Sequence, residues 1–362
     1  MRSTGDGTVR WRAPYPTGMA DGRDPVAARE NGEHDLYEVS TWEVRSRLDA
    51  LSVWLYSALI RSGRLLVVFV AMVILAIQAA VGGFGAVTQN PVVGAFTVLS
   101  VAPAFLLTAY LWRADVTDEE PLQLLVATFV LGLLFAGFAG VVNSIAAVLT
   151  EELELTTGYV GFAVQIATFY LVVGPGEEAV KLLAVRLYPY RSSHFDAVVD
   201  GVVYGAVAGL GFATIENVVY ISGFTEGIAD PLDLVSAGSA IAAVRALAGP
   251  GHVIYSAFAG FYLGLAKFNP DRAGPIVVKG LLIAAVIHAT YNSLAGVVPS
   301  VVATQLGIPW FVAFVGFVVV YDGVFGLVLL RKLARYRRVY RDVHADDAEG
   351  PPPDLAEFDE PP

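Results

Sequence analysis

The chain has 362 residues, 56% of them hydrophobic, a mean hydropathy of +0.61, a net charge of −11 and no cysteine. That composition excludes an ordinary soluble domain, and the absence of thiols excludes disulfides, cysteine nucleophiles and Cys-ligated metals. The acidic balance leaves no nucleic-acid partner to expect.

Residues 1–60 read as a polar cytoplasmic N-terminal region, partly disordered. Its first 35 residues are rich in Gly, Asp and Arg without apolar periodicity, and no signal-peptide pattern is visible. Within it, 36–60 interleaves Leu36, Val39, Trp42 and Val44 with charges. It fits either an amphipathic helix on the membrane surface or a solvated one. Continuous apolar runs then follow at 65–86, 92–112, 122–149, 159–188, 197–221, 236–267, 275–297 and 309–331. Each can cross a bilayer as a helix, and none alternates as a barrel strand would. The expected fold class is all-α: a polytopic transmembrane helix bundle of about eight spans occupying 61–338. Residues 339–362 read as an acidic, Pro-rich disordered tail, with eight acids beyond Arg341.

Arg61, Arg64, Arg113, Arg186, Arg191, Lys267, Arg272 and Arg331 fall in alternate connections, while the other connections carry no Lys or Arg. The excess of basic residues on one side predicts that both termini are cytoplasmic. Four Lys stand against nineteen Arg. With the acidic tails, this resembles a salt-adapted, haloarchaeal composition.

Three polar clusters interrupt the apolar runs. A charged side chain at membrane depth costs at least ~2.5–3.5 kcal/mol, so clusters in successive spans are expected to meet in one shared site. In the fourth run, Gly174-Pro175-Gly176 precedes Glu177, Glu178 and Lys181. Proline loosens a helix, and Lys181 is placed to pair with one glutamate while the other faces elsewhere as a candidate general base. An ion pair at the end of the span is the plainer alternative. In the fifth run, Gly201, Gly205 and Gly209 form a close-packing stripe whose face continues through Phe212 to Glu216, next to Asn217. Asp200 opens that helix, where a carboxylate also suits the helix dipole. In the sixth, Arg245 precedes a second expected break at Gly249-Pro250-Gly251, with His252 on it. In the seventh, His288 and Asn292 share one face. Imidazoles in such a place bind metal or stabilise an oxyanion. Asn143 and Asp322 lack a neighbouring motif and read as minor, and Tyr204, Tyr255 and Tyr291 as apolar packing with a spare hydroxyl.

In combination these segments resemble the PrsW family of intramembrane proteases, itself similar to the CAAX prenyl protease/Abi group. The matching elements are EExxK at Glu177, Glu178 and Lys181, then DGxxYGxxxGxGFxxxEN from Asp200 to Asn217. Arg245, Pro250 and His252, then HxxxN at His288 and Asn292, complete the pattern, which covers roughly 165–295. The resemblance implies an endopeptidase that cuts membrane-anchored proteins, such as an anti-sigma factor or a signalling precursor, in a cell membrane. It implies Glu177 or Glu178 as the base that activates water, with His288 and Asn292 on the electrophilic side. Glu216 stands where CAAX-type relatives carry a histidine, as second acid, metal ligand or orienting group. Because the family is described as a metalloprotease family, Zn²⁺ held by His252, His288 and Glu216 is one expectation; a metal-free glutamate mechanism is the other. Lys181, Asp200, Arg245 and Asn217 are expected in support. Glu177 and Asp200 are expected nearer the cytoplasmic side than Glu216, with Asp200 outside the core.

Two other classes compete. A proton- or ion-coupled transporter also uses buried carboxylates and broken helices, but no internal repeat is visible. An inert scaffold would need the glycine stripe but not the glutamates and histidines.

Overall fold

A computed structural model describes residues 24–57, 91–115, 117, 120–153, 155 and 157–344. Among these residues there is no strand, and seven helices are long and apolar enough to cross a membrane. The expected first span, 65–86, lies outside the described residues. The polytopic all-α bundle is therefore present, with its other seven spans close to their expected positions.

The elements are α1 (Pro25–Arg29), α2 (47–57), α3 (Pro91–Arg113) and α4 (Leu122–Glu152). The fourth expected span is composite: α5 (Gly158–Thr168), a wide π turn at Phe169–Val173, then α6 (Gly174–Leu187). There follow α7 (Asp200–Thr225), α8 (Pro231–Phe268), α9 (Ala273–Leu294), the short α10 (Val297–Leu306) and α11 (Trp310–Val343).

The outer helices turn large apolar groups outward and small or hydroxyl groups inward. On α3, Val98, Leu99, Phe105 and Leu106 are exposed, whereas Thr97, Ser100, Ala104 and Thr108 are buried. On α4, Thr128, Gly132, Ala136 and Ala139 face in. Lipid supplies no hydrophobic force between helices, so close backbone approach and interhelical hydrogen bonds must hold them. Helix α7 is the axis of the bundle, buried without interruption from Asp200 to Ala213. Its most extensive contact is with α8, and α3, α4 and α6 pack around it. Gly201, Gly205 and Gly209 face the backbones of Gly260, Ser256 and His252, where any Cβ would collide with a carbonyl. The stripe thus presses α7 onto α8 and fixes His252 and Ser256 against it.

Two expectations about backbone breaks need correction. Gly249-Pro250-Gly251 does not break the sixth span: α8 runs unbroken through Pro250, so His252 stands on a regular helix. Proline removes one backbone donor, and helices tolerate this in a bundle where neighbours close in; here Ala104 of α3 packs beside Gly249. In the fourth span the irregularity lies before Gly174-Pro175-Gly176, in the π turn, and α6 starts at Gly174 itself.

Residues 24–57 fold onto the end of the bundle that carries Arg186, Lys267 and Arg331, called here the basic end. Asp24 is fully buried, caps α1 by accepting from Val26 N–H, and takes bonds from the Val198 N–H and the Tyr336 hydroxyl, both at 3.0 Å. Asn269 Nδ2 donates to the Ser40 carbonyl while its Oδ1 accepts from Trp42 N–H. Lys279 pairs with Glu38 and Asp49, and Lys332 donates to Glu38 at 2.8 Å. Burial would raise both carboxyls, but the facing ammonium groups hold Glu38 and Asp49 below their ordinary values.

Candidate active site

Four helices bring their ionisable groups to one depth. Counted from the basic ends of their spans, Glu178 lies 13 residues in, Glu216 and His252 16, and His288 15. At 1.5 Å per residue that is ~20–24 Å for each. The expected offset between Glu177 and Glu216 is therefore corrected: the fourth span extends to Arg191, which carries Glu177 as deep as Glu216. Asp200, one whole helix segment away, remains at the basic end.

Glu178 is completely buried and fully engaged. Its Oε1 accepts from Lys181 Nζ at 2.7 Å and lies 2.9 Å from His288 Nδ1, while Oε2 accepts from Ser256 Oγ at 3.2 Å. A carboxylate can only accept, so the proton of this contact sits on His288 Nδ1 and leaves Nε2 free to face inward. Glu177 differs. Its Oε1 accepts from Asn143 Nδ2 at 3.0 Å, but its buried Oε2 has no hydrogen-bond partner among the described residues. That oxygen stands 3.7 Å from both His288 Nε2 and Lys181 Nζ. Both glutamates thus face one cluster rather than opposite sides of α6, because Lys181 and His288 sit between them.

The other half of the cluster is built on α7 and α8. Glu216 Oε2 accepts from Arg245 Nη2 at 2.5 Å and lies 2.7 Å from His252 Nε2. Arg245 Nε also donates to Asn217 Oδ1, whose amide donates on to Ser100 of α3. His252 Nδ1 is 2.9 Å from Lys181 Nζ, which also sits 4.1 Å over the Phe212 ring. Lys181 therefore links the two halves. At 21% side-chain exposure, Glu216 is the most open of the charged groups, against 4% or less for Glu177, Glu178 and His288.

Sequence reasoning left out Ser256 and gave Asn143, Asp322 and Tyr255 only minor parts. Asn143 holds Glu177, Ser256 holds Glu178, and Tyr255 packs its ring 5.4 Å from His288 while donating to Asp322 at 2.8 Å. The available signal was the cost of any polar group in a long apolar helix, which Asn143 and Asp322 share with the motif residues. Asn292 is half-buried and makes no hydrogen bond to the cluster among the described residues. Asp200 is held elsewhere, accepting from the Asp196 and Ala197 amides and from Thr117.

Ligand atoms of Glu177, His252 and His288 all lie within 4.8 Å of one another. Two imidazoles and a carboxylate suit Zn²⁺, and an orphaned buried carboxylate oxygen is what a cation would satisfy. Glu178 on the far nitrogen of His288 orients that ring as second-sphere carboxylates do at metal sites. These residues fit a metal. His252 has both ring nitrogens occupied, by Lys181 and Glu216, and joins a metal by giving up one of those contacts.

Comparisons with known proteins identify the family. The family model for the PrsW family intramembrane metalloprotease matches residues 120–323. The chain is 32% identical over 201 residues to Protease PrsW of Bacillus subtilis (strain 168), spanning 54% of this chain and 82% of that protein. It is 32% identical over 203 residues to Protease PrsW of Geobacillus kaustophilus (strain HTA426), spanning 55% and 80%. No solved structure shows significant similarity to it. With a polar cluster buried among apolar spans and a family match over more than half its length, the chain is a multi-pass membrane protein that belongs to the PrsW family of intramembrane metalloproteases.

Proposed function

We propose that Glu177 is the general base of peptide-bond hydrolysis and that Glu178 positions its partners. The observation that carries this is the orphaned Oε2 of Glu177, facing His288 Nε2 across 3.7 Å. A water bridging the two atoms from the side loses its proton to Glu177 as its oxygen bonds to the scissile carbonyl carbon. Lys181 lies beside the same oxygen and stabilises the negative charge that develops on the carbonyl oxygen. Collapse of the tetrahedral carbon breaks the C–N bond, and Glu177 returns the proton to the leaving amine. Glu178 keeps the His288 ring turned and holds Lys181 in place. A Zn²⁺ held by His288 and His252, with Glu177 beside it, would supply Lewis-acid activation of the water and carbonyl.

The substrate we infer is the membrane-anchored segment of another protein, entering past Glu216 and Arg245, the more exposed edge of the cluster. The Lys and Arg distribution supports a cytoplasmic basic end, and the Asp24–Tyr336 bond puts the N-terminal segment and the end of α11 together there.

The test is cleavage of a panel of single-span reporter proteins by the reconstituted full chain, followed by mass spectrometry, with Glu177→Gln, Glu178→Gln and chelator arms. Loss of cleavage in both variants is the expected result, and a chelator effect reports the metal. Normal cleavage by Glu177→Gln would reject its role as base.

A further inference from the structure

We propose a second, hard divalent-cation site at the basic end, formed by Asp115, Glu120 and Asp200 and distinct from the catalytic cluster. Asp115 lies two residues beyond α3 and Glu120 two residues before α4, in the same connection, and Asp200, distant in sequence, opens α7. One carboxylate oxygen from each lies within 4.8 Å of the others. Calcium takes oxygen ligands at about 2.3–2.6 Å, so opposite ligands sit roughly 4.6–5.2 Å apart. The spacing accommodates an ion of that size, and an all-oxygen donor set favours Ca²⁺ or Mg²⁺ over zinc.

Beyond the clustering of acids, buried polar atoms here lack partners among the described residues. Glu120 is 3% exposed, yet among the described residues neither of its carboxylate oxygens has a hydrogen-bond partner, and Asp115 Oδ2 is also buried without one. Tyr204 lies one helical turn after Asp200. It is wholly buried, its hydroxyl has no partner among the described residues, and it stands within electrostatic reach of Asp115, Glu120 and Asp200. Buried polar groups are rarely left unsatisfied, and here several lie at one cluster. No side-chain cation pairs with Asp115, Glu120 or Asp200 among the described residues. Lys267, the nearby ammonium, donates instead to the carbonyls of Tyr190, Ser192 and Phe195. Thr117, whose hydroxyl contacts both Asp115 and Asp200, adds a further oxygen at the rim. A cation here would tie the α3–α4 connection to the start of the central helix.

The experiment is calorimetric titration of the full chain in lipid nanodiscs, stripped by chelation, with CaCl₂ and separately with MgCl₂. Asp115→Asn, Glu120→Gln and His288→Ala are titrated in parallel, each checked by thermal melting. Asp115 is half-buried at a chain turn, so its variant is the one least able to disturb folding. The expected result is one binding event with either cation in the parent and in His288→Ala, weakened tenfold or more in Asp115→Asn and Glu120→Gln. Absence of binding by the parent would overturn the proposal, as would an event unchanged in both acid variants or lost in His288→Ala.

Discussion

Two buried charge networks in this molecule are built from the same residue types and behave differently. At the basic end, Glu38 and Asp49 meet Lys279 and Lys332, so carboxylates and ammonium groups match in number and each acid has a cation. At the centre, Glu177, Glu178 and Glu216 meet only Lys181 and Arg245, and one carboxylate oxygen is left without a partner. The balanced network is a staple that fastens residues 24–57 to α8, α9 and α11. The unbalanced one has an unspent acceptor beside two imidazoles, which is the composition of a site for a proton, a water or a metal. The comparison teaches that burial of charge alone does not mark a site; an unsatisfied buried group in an ordered surround does, as at Glu177 and, in the proposed cation site, at Glu120.

The sharpest way to break this comparison is to neutralise each network in turn. Glu177→Gln should lower the cleavage rate of a single-span reporter by about 10²–10⁴-fold, the range for loss of a general base, while melting temperature stays nearly unchanged. Lys279→Met should do the reverse. It strands the buried Asp49 beside Glu38 and should cost about 3–5 kcal/mol of stability, read by denaturant or thermal melting, with the rate per folded molecule unchanged.

Asn143→Ala sharpens the contrast inside the centre. It removes the one hydrogen bond to Glu177 among the described residues and should slow cleavage by about 10–100-fold, as loss of a group that orients a ligand or base does, leaving the fold intact. A Glu177 that needed no orienting would show wild-type kinetics.

The smallest effect concerns Asp24, whose burial pushes its carboxyl up to about 7 despite bonds from Val26, Val198 and Tyr336. The folded protein therefore holds this proton more tightly than the unfolded chain. Its contribution to stability is full below the unfolded value near 3.8 and is lost as pH rises through about 7. Asp24→Asn should flatten the melting temperature between pH 5 and 8 relative to the parent; an identical slope would show that Asp24 is ionised throughout.

The spans were legible because apolar length fixes them, and the glycine stripe because close approach of α7 to α8 needs three positions without a Cβ. The members of the centre were legible as polar residues out of place. Their partnerships were not. Which glutamate keeps a spare oxygen depends on Asn143 from α4 and Ser256 from α8, and no local spacing reveals contacts between distant helices. Pro250 misled for a related reason: a Gly-Pro-Gly triplet breaks an isolated helix, but neighbours on both sides keep α8 continuous. The acids at 115 and 120 gave no signal, since they sit in a connection where charge is ordinary until the fold buries it.

The most direct measurement sets the two networks side by side. Glu177→Gln and Lys279→Met, reconstituted at equal folded concentration, are timed on the same single-span reporter. Cleavage abolished in the first and retained in the second is the predicted result. Cleavage retained in Glu177→Gln and lost in folded Lys279→Met would contradict the central claim and move the reactive centre to the basic end.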